Sequence, residues 1–209
     1  KLINKKMKIN KVKVRLPQLC NKGFLDEVWL LKYLGDLHWI QCQEGDVYQS
    51  FIYIDLNLPL TNFKYNDQLI IDQKIVDKGS ICESIFDING YRNKLISAPV
   101  RSIDGKLHAT KKSKPNNQEL KYRRSCRKML DTYIGCYKTI PYRDFNGIGI
   151  MYFANYVRIE NEFIGPAING RTTCYFKNIE SNDIFSIYHQ SKEIIFAKNN
   201  KIMYHSLRK

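Results

Sequence analysis

An α+β fold is predicted for this chain of 209 residues, with two buried helices that each lead into antiparallel-type strands. Three observations carry the prediction. Two stretches place apolar residues at helical spacing, strand-like runs follow each, and the second half repeats features of the first. A chain of this length can bury a sizeable core, as one large domain or as two of about 100 residues.

The first helix is expected from Phe24 to Trp39. Phe24, Val28 and Leu31 recur at helical spacing, and so do Leu30, Leu34 and Leu37, so its apolar surface is broad and mostly buried. Asp26 and Glu27 near its start suit the positive end of the helix dipole. The second helix is expected from Ile148 to Phe163, with Ile150, Ala154 and Val157 on one face and Gly165-Pro166 as its stop.

Strand-like stretches follow the first helix at Val47–Leu58, Gln68–Asp77 and Ile81–Ile88. They follow the second at Arg171–Lys177, Asp183–His189 and Glu193–Lys198. Asp104-Gly105 and Asn199-Asn200 accept positive φ and should close terminal hairpins, Val100–Leu107 and Ile194–Tyr204. Lys111–Asn117 reads as a polar, proline-containing linker, dividing the chain into expected units 1–117 and 118–209. A basic stretch, Gln118–Leu130, follows, and a helix is one conformation open to it.

The internal repeat is short but ordered. Phe63-Lys64 precedes Asn66-Asp67-Gln68-Leu69, and Phe176-Lys177 precedes Asn182-Asp183-Ile184-Phe185; these pairs and the helix starts are displaced by roughly 120 residues. A helix wrapped by a curved antiparallel sheet, occurring twice, is a double hot-dog, and that is the architecture expected.

The formal net charge of +14 bounds the partners. Lys and Arg are dense before Leu16 and between Lys111 and Lys128, a field that attracts nucleic acid, coenzyme phosphates or an acidic protein. The chain is also rich in Lys, Asn and Ile together, as AT-biased coding would give, which accounts for part of the charge without function. No apolar run approaches the roughly 20 residues a spanning helix needs, and no secretory leader opens the chain. A soluble cytoplasmic protein, monomeric or homodimeric, without membrane contact is the expectation. The six cysteines, at positions 20, 42, 82, 126, 136 and 174, show neither Cys-x-x-Cys nor zinc-ligand spacing. They are expected to be reduced core residues, with no metal.

The segment from Arg143 to Tyr156 carries the most chemistry. It is a polar loop with two glycines, Gly147 and Gly149, opening into a buried helix. Backbone N–H groups at such a start can hold a thioester oxygen as it becomes negative, and glycine lets a substrate approach the backbone. Asn146 suits either the helix cap or a side-chain donor to substrate. His38 suits a packed core histidine or an acid/base. Asp26 and Glu27 suit dipole partners or the acid of a hot-dog thioesterase or dehydratase. His108, His189 and His205 are assigned no chemistry. No nucleophile-elbow, phosphate-loop or dinucleotide fingerprint appears.

This segment resembles the helix-start motif of hydroxybenzoyl-CoA-type thioesterases, with Asn146 where that family has its catalytic Asp. An amide cannot act as general base or carboxylate nucleophile. A wider resemblance runs through Leu16-Pro17-Gln18-Leu19-Cys20, Gly23 to Leu31, Gly35 to Trp39, Pro59-Leu60, Asp144-Phe145-Asn146-Gly147, Tyr152 to Tyr156, and Gly170-Arg171 with Tyr175 to Asn178. In these the chain is similar to double hot-dog biosynthetic proteins related to the bifunctional acyltransferase/decarboxylase of leinamycin assembly.

That resemblance implies a tyrosine, on the strand after the first helix, that takes a malonyl-type acyl group from CoA. The group passes to the phosphopantetheine thiol of an acidic acyl carrier protein with loss of carbon dioxide. Tyr53 is the best match for the acyl acceptor and Tyr48 the next. Asn146, with Gly147, Ile148 and Gly149, would stabilise the enolate, a role in which an amide outperforms a carboxylate. CoA and phosphopantetheine thioesters enter as substrates, with no bound cofactor. A hot-dog thioesterase or dehydratase is the alternative, and a non-enzymatic basic binding protein a third. Nucleic acid is disfavoured, because the basic clusters are not interleaved with stacking aromatics.

Overall fold

The computed structural model describes residues 3–42, 47–77, 80–103, 106–109, 118–126, 128–146 and 151–209. In chain order come β1 (Ile3–Lys13), α1 (Glu27–Cys42), β2 (Tyr48–Leu56), β3 (Gln68–Asp77), β4 (Cys82–Ile88), β5 (Tyr91–Ile103) and β6 (Lys106–Ala109). Then follow α2 (Gln118–Ser125), β7 (Tyr133–Lys138), the single turn α3 (Pro141–Asp144), α4 (Phe153–Ile164), β8 (Arg171–Tyr175), β9 (Ile184–Gln190), β10 (Glu193–Lys198) and β11 (Lys201–Arg208). Among the described residues no helix is long and apolar enough to cross a membrane.

One antiparallel sheet of 11 strands runs in the order β1-β3-β4-β5-β2-β8-β11-β10-β9-β7, with β6 added beside β5. The fold is hot-dog-like, with buried helix wrapped by antiparallel sheet. Read inward from its two edges the strand order is the same: an edge strand, three consecutive strands, then the strand that follows the long helix. The inner strands meet along Tyr53↔Cys174, Ile54↔Thr173, Asp55↔Thr172 and Leu56↔Arg171. The repeated Asn-Asp pairs adopt one turn. Asn66 and Asn182 have φ of 72° and 66°, and the next carboxylates, Asp67 and Asp183, each accept the N–H three residues back, at 2.7 and 2.9 Å.

The main core lies between the sheet and the two long helices. Leu30, Leu31 and Leu34 of α1, and Ala154, Val157 and Ile159 of α4, pack with Ile54, Phe86, Leu95, Tyr175, Phe196 and Tyr204 of the strands. The helices approach closely at Gly35, where an added Cβ would sit 2.6 Å from the Phe153 ring.

Helix starts differ from expectation for local reasons. Leu25 donates its N–H to the Phe63 carbonyl and Asp26 caps Trp29 N–H, so α1 begins at Glu27 and runs on to Cys42. Phe145 bridges Met151, and Tyr152 donates to the Asp144 carbonyl, so α4 begins only at Phe153. The edge strands β1 and β7 escaped the pattern reading. A lysine-rich strand such as β1 is what a sheet edge tolerates, and its alternation is diluted by charge. Asn199 and Asn200 turn with φ of 49° and 59°, as expected. Asp104-Gly105 and Lys111–Asn117 lie outside the described residues. The expectation of six reduced cysteines is corrected at one pair, since Cys42 and Cys82 form a disulfide between the last turn of α1 and the start of β4. Proximity of 40 residues' separation in sequence is a tertiary fact that spacing does not show.

Candidate active site

The loop leading into α4 is built on a buried carboxylate. Asp144 is fully buried at the end of α3. Its oxygens accept from Ile140 N–H at 2.7 Å, from Tyr137 Oη at 3.0 Å, and from the Arg158 guanidinium at 2.6 Å, with Arg143 alongside. Its carbonyl accepts from Tyr152 N–H at 3.1 Å and from Asn155 Nδ2 at 2.9 Å, and Asn155 also reaches the Arg143 carbonyl. Arg158 bridges onward to Glu162 one turn later. Both ends of the loop are therefore clamped to one residue. Asn146, half-buried, stands two residues after Asp144 within that clamp.

Aromatic rings form the wall beside it. Tyr152 and Phe153 at the start of α4 meet Trp39 of α1 edge to face, with centroids at 5.4 and 6.2 Å, and Phe153 meets Phe51 of β2 at 4.1 Å. Trp39 is fixed by its Nε1–H to the Gln49 carbonyl at 3.0 Å. The Tyr152 hydroxyl donates to Asp36 Oδ1 at 3.4 Å. Partial burial raises the Asp36 carboxyl above its usual value, against the lowering by Tyr152 and Lys32. Burial, then Asp36, pushes the Tyr152 phenol up. A carboxylate with raised proton affinity thus sits at the rim of an aromatic wall.

The helices and the sheet are held together by a second buried network. Arg171, the first residue of β8, pairs with Glu27 through Nε and an amino nitrogen at 2.6 Å each, with Glu160 at 2.6 Å and with Asn161 at 2.8 Å. Burial opposes the guanidinium charge, but Glu160 and Glu27 outweigh it and hold Arg171 well above its usual range. Tyr204 Oη donates to the other Glu160 oxygen at 2.9 Å.

The residues singled out in the sequence scatter over distinct environments. Asp26 caps α1, its Oδ1 2.7 Å from Trp29 N–H. Glu27 is the buried partner of Arg171. His38 is fully buried, its ring nitrogens 2.7 Å from Ser84 and Ser97 hydroxyls, and burial lowers it to about 3. Tyr48 opens β2, half-buried, opposite Val100. Tyr53 is buried in a second cluster with Ile81, Ile96, Cys126 and Cys174, beneath α2, whose Tyr122 ring lies 6.4 Å away. Phe51, which faces α4, belongs to the main core, so the described packing puts Tyr53 and the α4 start in different clusters. Gly147, Ile148 and Gly149 lie outside the described residues.

Sequence reading missed Asp144, Asn155, Arg158 and Asp36. For Asn155 a signal was present: the Asn of Ala-Asn-Tyr is a polar residue inside an apolar helix segment, and buried polar groups need partners. Asp144 and Arg158 look in sequence like ordinary polar residues of a loop and a helix face. Nothing in one dimension distinguishes Asp36 from a solvated helix carboxylate.

Two solved structures share this architecture. An acyl-ACP thioesterase from Bacteroides thetaiotaomicron superposes with a TM-score of 0.70, covering 96% of each chain at 11% identity. The 12:0-ACP thioesterase from Umbellularia californica gives 0.69, covering 96% of this chain and 92% of its own, at 10% identity. The likeness is one of fold. No family model matches the chain, and no curated protein matches it either. Coverage is near complete in both directions, so the likeness of fold extends over almost the whole of this chain.

Proposed function

We propose that this protein is an enzyme of acyl thioesters and that it hydrolyses an acyl group from a carrier-bound thioester. The observation that carries the proposal is the fold shared with acyl-ACP thioesterases over nearly the entire chain. The same strand order from both edges supports two hot-dog units, 1–117 and 118–209, each contributing one long helix. The positive charge of the chain suits an acidic acyl carrier protein as the donor.

Within this reading the clamped loop presents Asn146 and the start of α4 to the thioester oxygen, where donors stabilise the developing negative charge. Asp144 has no part in proton transfer, because Arg158, Tyr137 and Ile140 N–H occupy its oxygens. Asp36, whose carboxylate accepts the Tyr152 hydroxyl at the start of α4, is the group we assign to take a proton from water. Release of free carrier thiol from acyl-ACP, followed with a thiol reagent, tests this. Asp36→Asn and Asn146→Ala should each lower kcat by about 10²-fold or more; wild-type rates in both variants would sink it.

A second reading is favoured by Asn146 itself. An amide holds an enolate oxygen without the repulsion a carboxylate would add, which suits decarboxylation of a malonyl-type thioester. The resemblance implies Tyr53 as the acyl acceptor. It lies in the thiol-rich cluster beneath α2, apart from the start of α4, so Asn146 would act only after the group has passed from Tyr53 to the carrier thiol. Incubation with malonyl- or methylmalonyl-CoA should then give a covalent mass increase that Tyr53→Phe abolishes. Label that survives the substitution places the acceptor elsewhere.

A further inference from the structure

His38, Cys42 and Cys82 bring one imidazole nitrogen and two sulfurs within 4.8 Å of one another, all buried, where α1 ends against β4. The disulfide between the cysteines is one chemical state of this group. The hydrogen bonds around His38 define what it offers in the other.

The tautomer of His38 follows from its surroundings. Gln49 Nε2 donates to the Cys42 carbonyl at 3.1 Å, which turns the amide oxygen toward Ser97, and the Ser97 hydroxyl donates to that oxygen at 2.8 Å. With its hydrogen so used, Ser97 can only accept from His38 Nε2–H, at 2.7 Å. On the other side Gln73 Nε2 donates to Ser84 Oγ at 3.3 Å, leaving the Ser84 hydroxyl to donate to His38 Nδ1 at 2.7 Å. Nδ1 therefore carries the lone pair, and it is the nitrogen 3.9 Å from Cys42 Sγ. Two ligands of one tetrahedral zinc ion, at about 2.3 Å for sulfur and about 2.0–2.1 Å for nitrogen, stand roughly 3.6 Å apart. A metal-binding histidine commonly donates its second N–H to an orienting acceptor, the part Ser97 plays.

We propose that the reduced protein binds one Zn²⁺ ion through His38 Nδ1, Cys42 Sγ and Cys82 Sγ, with the fourth position left to a small ligand. A phosphine supplies two electrons and is oxidised to its oxide, while water supplies that oxygen and two protons, opening the disulfide to two thiols. The incoming ion displaces both thiol protons and takes the unprotonated His38 Nδ1 lone pair in place of the Ser84 hydroxyl hydrogen. Reduced and oxidised chains then share one tie between α1 and β4, made by metal in one state and by sulfur in the other. This is independent of the acyl chemistry.

The experiment uses the full chain, reduced with a phosphine and titrated with Co²⁺ alone. One equivalent should bind, with a thiolate-to-cobalt charge-transfer band that added Zn²⁺ removes. Cys42→Ser or Cys82→Ser should abolish the band, and His38→Asn should weaken binding at least tenfold. Oxidised protein should show no band. Should a serine variant fail to fold, alkylation of the wild-type protein replaces it: Zn²⁺ should protect Cys42 and Cys82, read by mass. Absence of binding when both thiols are shown free, a band unchanged in the serine variants, or thiols released only by unfolding would each overturn the proposal.

Discussion

Arg171 meets Glu27 through two parallel hydrogen bonds of 2.6 Å, joining β8 to the first turn of α1, and neither side chain is exposed. Glu160 and Asn161 of α4 complete the ring, so a single guanidinium holds both long helices to the middle of the sheet. Replacing Arg171 with Met removes the nearest positive charge from two buried carboxylates, leaving Glu160 with Arg208 at 3.9 Å and Glu27 with Asn161 alone among the described residues. A loss of about 3–5 kcal/mol is expected in denaturant unfolding. Arg171→Lys should recover little of it, since an ammonium cannot repeat the forked geometry.

Gly170 precedes that arginine with φ of +98°, and a Cβ there would lie 2.2 Å from the Leu56 carbonyl oxygen. The neighbouring atom is backbone and cannot yield cheaply. Gly170→Ala should cost at least about 2 kcal/mol in unfolding free energy. Gly35→Ala meets a side chain instead, and Phe153→Leu in the same chain should offset part of its cost in a double-mutant cycle.

In the proposed thioester reaction Asp144 would position the loop without touching the reacting atoms. Asp144→Asn removes the buried charge partner of Arg158, leaving it Glu162, and loosens the clamp on the loop. Thioester turnover should fall by about 10²-fold through kcat, while Asn155→Ala, which frees the Asp144 carbonyl contact, should fall in the same direction. Activity lost equally in KM alone would show that the loop binds rather than orients.

His38 gives the disulfide form a specific acid response. Its pKa falls from 6.5 unfolded to about 3 folded, because burial among Ser84, Ser97, Cys42, Gln73 and Phe51 offers no charge to support a cation. Between those values the unfolded chain binds the extra proton. The contribution is therefore present above pH 6.5 and is lost as pH falls toward 3. Unfolding free energy measured across this window should decline, and His38→Gln should flatten the decline by a few kcal/mol, roughly.

Local pattern was enough for much of this protein. The leucine spacing of residues 28–37, the strand runs at Gln68–Asp77 and Glu193–Lys198, and the paired Asn-Asp turns are written in short windows, because periodicity of 3.6 or 2 is set by neighbours in sequence. The stop of α4 was legible too, from Gly165-Pro166 after the last apolar turn. Only the tertiary structure decided the partners: Glu27 with Arg171 across 144 residues, Cys42 with Cys82, Asp144 with Arg158, and Tyr53 beneath α2 instead of beside α4. Burial and charge pairing are properties of space, and a carboxylate at a helix start looks the same in sequence whether water or a guanidinium will face it.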